Sequence, residues 1–226
     1  MLKQIRPALV SVLVMVVLTG LLFPGVITAL AKVLFPHQAD GSLITGAGGA
    51  VIGSELIGQS FTAPGYFHPR PSAAGSGYDP TASGGTNLGP TSDKLINGIH
   101  KKLENGQDDP GNYDGIRDLA AAYRSENGLG PDAQLPADAV TRSASGLDPE
   151  ISPANAALQV ARVAKTRGIS DEEVLRLVAQ NTRGRQFGIL GEPGVNVLML
   201  NLALDRAAPG KSGAAPSGTA SPDAGS

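Results

Sequence analysis

Apolar residues fill one long stretch near the N-terminus, whereas later apolar positions recur between polar residues at helical or alternating spacing. The stretch covers residues 7–31 without a charge, with Lys3 and Arg6 before it and Lys32 after it. As a helix rising about 1.5 Å per residue, it is long enough to cross a bilayer core of about 30 Å. The pattern therefore predicts one transmembrane helix over residues 7–35.

Beyond this stretch, the pattern predicts a mixed domain whose second half is rich in helices. Apolar spacing and capping residues predict helices over residues 92–105 and 113–126, between Ser152 and Gly168, and between Ser170 and Gly184. Residues 195–205 fit a helix or a strand, and we favour the helix. Short strands are expected near residues 51–52 and 55–57, and a loop rich in Gly, Pro and Ser covers residues 62–91.

Charge placement orients the predicted membrane helix. Because positive residues beside a first span tend to stay in the cytoplasm, residues 1–6 are expected there and residues 36–206 outside it. The small, polar and Pro-rich residues 207–226 are typical of a disordered tail. The predicted fold class is α+β, with one N-terminal transmembrane helix followed by a single extracytoplasmic domain that has a few short strands and a long Gly/Pro loop.

A cleaved signal peptide is the alternative interpretation of the N-terminal segment. Basic residues come first, an apolar core follows, and Ala29, Leu30 and Ala31 match the A-x-A pattern of a cleavage site. Cleavage there would release a secreted binding protein or enzyme. Apolar residues continue through Phe35, however, which makes the stretch long for a signal peptide. We therefore favour the uncleaved anchor.

Composition argues against several classes of function. The chain has no Cys, which excludes disulfides and thiolate metal sites, and its net charge of −2 without a basic stripe argues against nucleic-acid binding. His37, His68 and His100 share no metal-ligand spacing. Successive glycines in residues 83–90 suit an anion-binding nest, but no Lys follows at phosphate-loop spacing. We favour an ordered turn there and predict no catalytic, metal or cofactor site.

Six short motifs follow one another along the chain, each weak alone and specific together. They are Gly58–Phe61, Tyr66–Ala73, Gly84–Thr91, Ser145–Pro153, Gln159–Ala164 and Leu190–Leu198, the last followed by Asn201 and Leu202. With the apolar span ahead of them, this set closely resembles the C subunit of the bacterial Kdp-type potassium-transporting ATPases. The resemblance extends from about Leu9 to Asp205.

The resemblance implies a non-catalytic accessory subunit of an ATP-driven potassium uptake pump in the bacterial inner membrane. The implied partners are a channel-like potassium-binding subunit, a P-type ATPase subunit that carries the catalytic site, a small single-span subunit and membrane lipid. ATP and K⁺ are then handled by the complex. The family is described as assisting assembly and raising the ATP affinity of the ATPase subunit. For a domain outside the cytoplasm, an indirect effect through assembly is more plausible physically than nucleotide contact.

Motif residues supply the candidate structural or interface positions. They are Phe67, Arg70, Pro71, Ser72, Gly85, Asn87, Gly89, Asp148, Glu192 and Asn196. Two interpretations of residues 67–72 stay open, internal scaffolding of the long loop and docking onto the channel-like subunit. Scaffolding is favoured because Pro and Gly dominate the surrounding loop. Within the span, Gly20 and Gly25 are candidates for close packing against partner helices.

Overall fold

The computed structural model describes residues 2–46 and 48–209, which form two compact units, one ending at Ser54 and one beginning at Glu55. The architecture is α+β, with one N-terminal apolar helix and a helix-rich remainder that contains a few short strands. The fold class predicted from the sequence is confirmed in these respects.

The N-terminal apolar helix follows a short 3-10 turn and has three consecutive parts. They are α1 (Ile5–Val17), a π-helical turn (Leu18–Leu22) and α2 (Phe23–Leu34), which together make a helix of 30 residues. Its most apolar window has a mean hydropathy of 2.5 and is not buried, so it has the length and composition needed to cross a membrane. Pro24 accounts for the π turn, because proline lacks an N–H and its ring displaces the carbonyl four residues earlier.

The rest of the first unit is a short helix followed by a hairpin. Its elements are α3 (Pro36–Ala39), β1 (Leu43–Thr45) and β2 (Val51–Ser54), and the two strands pair antiparallel. The Ser54 hydroxyl donates to the Gly41 carbonyl at 2.7 Å and ties the end of β2 to the turn before β1. The strand expected near residues 51–52 is confirmed.

The second unit combines six helices with a three-stranded antiparallel sheet among its described residues. The elements are α4 (Asp93–Asn97), α5 (Ile116–Glu126), α6 (Ala137–Val140), β3 (Glu150–Ile151), α7 (Pro153–Arg167), α8 (Asp171–Gln180), β4 (Thr182–Arg183), β5 (Gly194–Asn196) and α9 (Val197–Ala207). The strand order is β3-β5-β4, so the fully buried β5 lies in the middle.

The core of this unit lies where α8 packs against α7 and α9 and where α7 and α9 pack against β5. Its largest fully buried side chains are Phe67, Ile151, Leu198, Leu200, Leu204, Gln159, Val163, Val174, Val195, Asn155 and Asn201. Three of these eleven are amides, and a buried amide must find hydrogen-bond partners. A smaller cluster around Tyr123 joins α5 to α6.

The ends of α7 and α8 follow the capping residues read from the sequence. The Ser152 hydroxyl accepts from the Asn155 amide at 3.0 Å, and α7 ends at Gly168, whose φ is +67°. The Ser170 hydroxyl accepts from the Glu173 amide at 3.2 Å and starts α8. Capping residues predict these boundaries well because they act on the backbone of their own turn.

The predicted helix over residues 92–105 is wrong beyond Asn97. The chain turns at Gly98, whose φ is +79°, and Ile99 then pairs antiparallel with Tyr113. The helix expected over residues 113–126 therefore begins only at Ile116. Backbone pairing between Ile99 and Tyr113 replaces helical bonds in both segments, with each residue donating to the other at 2.8–2.9 Å.

Three further predictions differ from the structure to different extents. The helix expected to reach Gly184 ends at Gln180, because Thr182–Arg183 pairs with β5. The strand expected near residues 55–57 is wrong, since Glu55 and Leu56 form a turn. The helix favoured for residues 195–205 is confirmed from Val197 onward, whereas Val195 and Asn196 belong to β5, and Asn196 caps α9.

The long loop over residues 62–91 contains neither helix nor strand, as its composition indicates, yet part of it is buried. Phe67 and Ala74 are fully buried. Of the expected tail, Ala207 completes α9, and residues 210–226 lie outside the described residues.

Candidate functional site

Two buried amides hold the middle of the long loop against the helices. The Asn201 side chain on α9 accepts from the Phe67 amide at 2.9 Å and donates to the Phe67 carbonyl at 3.0 Å. Gln159 on α7 does the same for His68, at 2.7 and 3.1 Å. Each amide thereby replaces the neighbouring strand that would otherwise satisfy the backbone. Phe67, a predicted site residue, is therefore fixed in the core.

Two arginines fix the preceding part of the same loop. Arg162 donates to the carbonyls of Pro64 and Tyr66 at 2.6 and 2.9 Å. Arg167, whose side chain is only 1% exposed, donates to the Gly65 carbonyl and pairs with a carboxylate of α9 at 2.9 Å. Burial lowers the pKa of Arg162, while Glu126 and Tyr123 oppose that effect.

Arg70 and Asp148 form an ion pair that joins the long loop to the segment before β3. The Arg70 Nη1 lies 2.7 Å from the Asp148 carboxylate, and both side chains are partly exposed. The Tyr78 hydroxyl donates to the Arg70 carbonyl at 2.7 Å. Burial raises the pKa of Tyr78, nearby Asp148 raises it further and Arg70 lowers it, so the phenol stays protonated.

Ser72 connects the same two segments through its hydroxyl. It donates to the Gly146 carbonyl at 2.7 Å and accepts from the backbone amides of Ala74 and Tyr78 at 3.1 and 2.9 Å. Pro71 adds a contact, since its carbonyl accepts from the Ser143 amide at 3.3 Å. The Ser72 hydroxyl thus holds three backbone groups, those of Ala74, Tyr78 and Gly146, in fixed positions.

Close backbone approach explains the glycine at position 85. A Cβ on Gly85 would lie 2.8 Å from the Ala144 carbonyl oxygen, closer than real Cβ atoms come. Next to it, the Gly84 amide donates to the Ser145 carbonyl at 2.9 Å, and the Ser83 hydroxyl donates to the same carbonyl. An amide that an anion nest would need is therefore bonded within the protein.

Two predicted site residues near the C-terminal end of the domain, Asn196 and Glu192, make their bonds outside the long loop. Asn196 caps α9 by accepting from the Met199 amide at 3.0 Å and donates to the Glu55 carbonyl at 2.8 Å. Glu192 is exposed and pairs with Arg185 at 2.6 Å.

Two clefts include the Arg70–Asp148 pair in their linings. One, of about 530 Å³, is also lined by Leu56 and Ile57, and the other, of about 410 Å³, extends to Glu192. The guanidinium is already neutralised by its carboxylate. The lining of these clefts therefore gives no reason to assign a nucleophile to this ion pair.

Several predicted glycine and asparagine positions have few neighbours in the structure. Asn87 lies in the left-handed region with a φ of +53°, which asparagine tolerates better than most residues. A Cβ added at Gly89 would meet no atom within 4 Å. The same holds for Gly20 and Gly25 in the apolar helix, so both leave open space on its surface.

One His and two Asp residues come close enough to suggest a metal site. Ligand atoms of His100, Asp114 and Asp118 lie within 4.8 Å of one another. The Asp118 carboxylate, however, accepts from the Gly115 amide at 2.8 Å and contacts His100 at 3.0 Å. The Gly115 hydrogen bond is also the main cause of its lowered pKa. Capping of α5 accounts for this arrangement without an ion.

Sequence reasoning missed the side chains that organise the loop. Gln159, Arg162, Arg167 and Asn201 bond to the backbone of residues 64–68, yet none of them was among the candidate site residues. The available indication was an amide within an apolar helical stripe, as at Asn201 in the Leu-rich α9. Such an amide is buried together with the apolar stripe, so its oxygen and nitrogen need hydrogen-bond partners from another segment of the chain.

Comparison with known proteins gives one consistent result. The family model described as "KdpC: K+-transporting ATPase, c chain" matches residues 5–206. A relative from Myxococcus xanthus, named potassium-transporting ATPase KdpC subunit, is 51% identical over 224 residues, which cover 95% of this chain and 97% of the relative.

Relatives from other bacteria carry the same name. A protein from Gemmatimonas aurantiaca is 52% identical over 206 residues, covering 91% of this chain and 94% of the relative. One from Mycobacterium tuberculosis is 48% identical over 204 residues, covering 90% and 98%. Both matches extend over nearly the whole of each protein.

Proposed function

Because this chain belongs to the KdpC family of K⁺-transporting ATPase subunits, and so is an accessory subunit of a potassium pump, we propose that it assists assembly of the pump and raises the ATP affinity of the P-type ATPase subunit. The proposed partners are that ATPase subunit, a channel-like potassium-binding subunit and a small single-span subunit. In this proposal the catalytic site lies on a partner, and ATP and K⁺ are handled by the complex.

The internal use of the motif residues is the observation that supports this role. Arg70 pairs with Asp148, and the Ser72 hydroxyl donates to the Gly146 carbonyl, so these bonds are made within the protein. Phe67 is buried, so its ring fills the core rather than a ligand pocket. Residues used in this way maintain the shape of a surface, and a fixed surface is what an assembly subunit contributes.

The membrane arrangement is part of the proposal. The apolar helix is 30 residues long, about twice the apolar core of a signal peptide, and the family match includes it from residue 5. We infer an uncleaved single-pass anchor in the bacterial inner membrane. Lys3 and Arg6 favour a cytoplasmic N-terminus, and the second unit would then lie outside the cytoplasm. From that side the unit would affect ATP binding indirectly, through the assembled complex.

The ATP dependence of the pump tests the proposed role. The complete complex and a complex lacking this chain are compared for potassium-stimulated ATP hydrolysis over a range of ATP concentrations. We expect a several-fold higher KM for ATP without this chain and a smaller change in kcat, since the hydrolytic groups would be intact. An unchanged KM in a stably assembled complex would contradict the ATP-affinity role.

Cysteine labelling tests the proposed orientation, because the chain has no native Cys. Single substitutions Gln4→Cys and Asp132→Cys place one thiol before the apolar helix and one on the exposed surface of the second unit. A membrane-impermeant maleimide added to intact spheroplasts is expected to label only the Asp132→Cys protein. Labelling of only the Gln4→Cys protein would reverse the topology, and recovery of a chain that begins at Lys32 would indicate cleavage.

A further inference from the structure

The loop between β4 and β5, residues 184–193, exposes three large apolar side chains. Phe187 is 91% exposed, Ile189 74% and Leu190 55%. Phe187 and Ile189 are more exposed than any other large aliphatic or phenylalanine side chain among the described residues after position 54. Exposed apolar groups concentrated on one loop are typical of an interaction surface.

The same loop has a defined backbone conformation. The Gln186 amide donates to the Leu190 carbonyl at 2.8 Å, and the Leu190 amide donates back to the Gln186 carbonyl at 2.9 Å. Between them, Phe187 has a φ of +52°, a left-handed conformation that is unfavourable for an aromatic residue. Phe187 therefore combines a strained backbone conformation with an exposed ring. A loop already ordered in this way loses less entropy when it binds.

The charges beside the loop are paired with carboxylates. Arg185 lies 2.6 Å from Glu192, and Arg183 lies 3.6 Å from Glu150. Binding to an anionic lipid surface is strengthened by free basic groups beside the apolar ones. Here the two arginines are neutralised, and the apolar tip has no net charge around it. This favours an apolar pocket of a protein over a lipid surface.

We propose that the β4–β5 loop is the docking element by which the second unit binds another subunit of the potassium-transporting ATPase. Phe187 enters an apolar pocket on that subunit as the central anchor, with Ile189 beside it. The Arg185–Glu192 pair lies at the rim, where water still reaches it. This inference rests on the proposed function, because it requires that the chain work as part of an assembled complex.

Co-purification tests the docking element. A tagged form of this chain is co-expressed with the other subunits of the pump, and the recovered subunits are identified and quantified. The variant Phe187→Ala with Ile189→Ala is expected to recover at least about tenfold less of the partner that holds the pocket. Leu103→Ala with Leu175→Ala, which removes two exposed apolar side chains elsewhere, is the matched control and is expected to recover normal amounts.

A glycine substitution separates docking from folding. Phe187→Gly removes the anchor but relieves the strain of the positive φ, so the unfolding midpoint should not fall while partner recovery does. Equal recovery for all variants would overturn the docking element. If the unaltered chain itself recovered no pump subunit, the proposed function would fail instead.

A tryptophan reporter distinguishes protein from lipid, because the chain has no native Trp. Phe187→Trp in the full chain is placed in nanodiscs that contain brominated lipid, with and without the partner subunits. We expect emission that is unquenched by lipid in the chain alone and shifts to the blue when the partners are added. Quenching by brominated lipid in the chain alone would overturn the proposal and assign the loop to the membrane surface.

Discussion

Single amide side chains determine how the long loop is held in this protein. Asn201 and Gln159 each bind both polar groups of one loop residue, Phe67 and His68 respectively. Loops normally stay at the surface because buried backbone groups need partners. These amides supply partners inside the core, so the loop around Phe67 can be buried without a β-strand beside it.

Replacing Asn201 should therefore lower the free energy of unfolding even where the new side chain has a similar volume. Asn201→Leu keeps the volume similar but leaves the Phe67 amide and carbonyl buried without partners, at about 1–3 kcal/mol for each group. The measurement is urea unfolding of the detergent-solubilised chain followed by circular dichroism. Arg206→Leu, at an exposed position of the same helix, is the control. A loss below about 0.5 kcal/mol for Asn201→Leu would contradict this account.

Glu126 makes the stability of the folded chain depend on pH. The His68 Nδ1 donates to its carboxylate at 2.9 Å, and chiefly for this reason the pKa of Glu126 falls below 4.5 in the folded state. The unfolded chain then binds the proton more readily. The stabilisation is complete above pH 4.5 and is lost as the pH falls through the folded-state pKa.

The test compares unfolding free energies at about pH 6 and about pH 4. Glu126→Gln should lose part of the decrease that the unaltered chain shows on acidification, because the amide does not titrate. Glu104→Gln, an exposed carboxyl, should keep the full decrease. The same pH dependence in all three proteins would show that the Glu126–His68 pair has no measurable part in it.

At the scale of the element, Gly98 determines where α4 ends and α5 begins. Its φ of +79° and ψ of −175° lie in a region that only glycine occupies readily. A Cβ there would also lie 2.6 Å from the Tyr113 carbonyl oxygen and 2.5 Å from the Asp118 carboxylate. One residue without a side chain thus allows the two segments to meet.

Two glycine substitutions separate strain from crowding. Gly106 has a similar φ of +81°, but a Cβ there meets nothing within 4 Å. Gly106→Ala should cost about 1 kcal/mol of stability through its backbone alone. Gly98→Ala should cost clearly more, since it adds steric overlap with neighbouring backbone. Denaturant unfolding of both variants gives the comparison, and equal losses would show that crowding at Gly98 is relieved by movement.

At the scale of the whole molecule, the chain combines an apolar helix that has no buried residue with a second unit that has its own core. Such a helix needs lipid or other helices around it. Gly20 and Gly25 leave open space on its surface, which would let a partner helix approach closely. We therefore expect the helix to contribute to assembly as well as to anchoring.

Substituting both glycines by leucine tests that contribution. Leucine favours helix formation, so the span itself should form and insert at least as well. Gly20→Leu with Gly25→Leu is expected to reduce co-purification of the pump subunits by about tenfold. Ala8→Leu with Ala29→Leu is the small-to-large control within the same helix. Unchanged recovery, with membrane insertion confirmed by carbonate extraction, would make the helix a lipid-facing tether.

The sequence alone determined the parts of this protein that depend on local chemistry. A charge-free run of 25 residues can bury its surface only in lipid or against other helices, so the apolar helix was predictable. Ser152, Gly168 and Ser170 act on the backbone of their own turn, and they placed the helix ends correctly. The ordered motifs identified the family before any geometry was known.

Only the tertiary structure decided which residues hold the loop and which are exposed. Pairing of Ile99 with Tyr113 overrode a helical pattern, because strand pairing depends on a distant segment. The partners of Asn201 lie 134 residues away, and no local rule reaches that far. The exposure of Phe187 could not be predicted from the sequence either, since a phenylalanine is usually expected in the protein core. Contacts between segments far apart in the chain fixed the first two, whereas Phe187 lies in a local turn closed by bonds between Gln186 and Leu190.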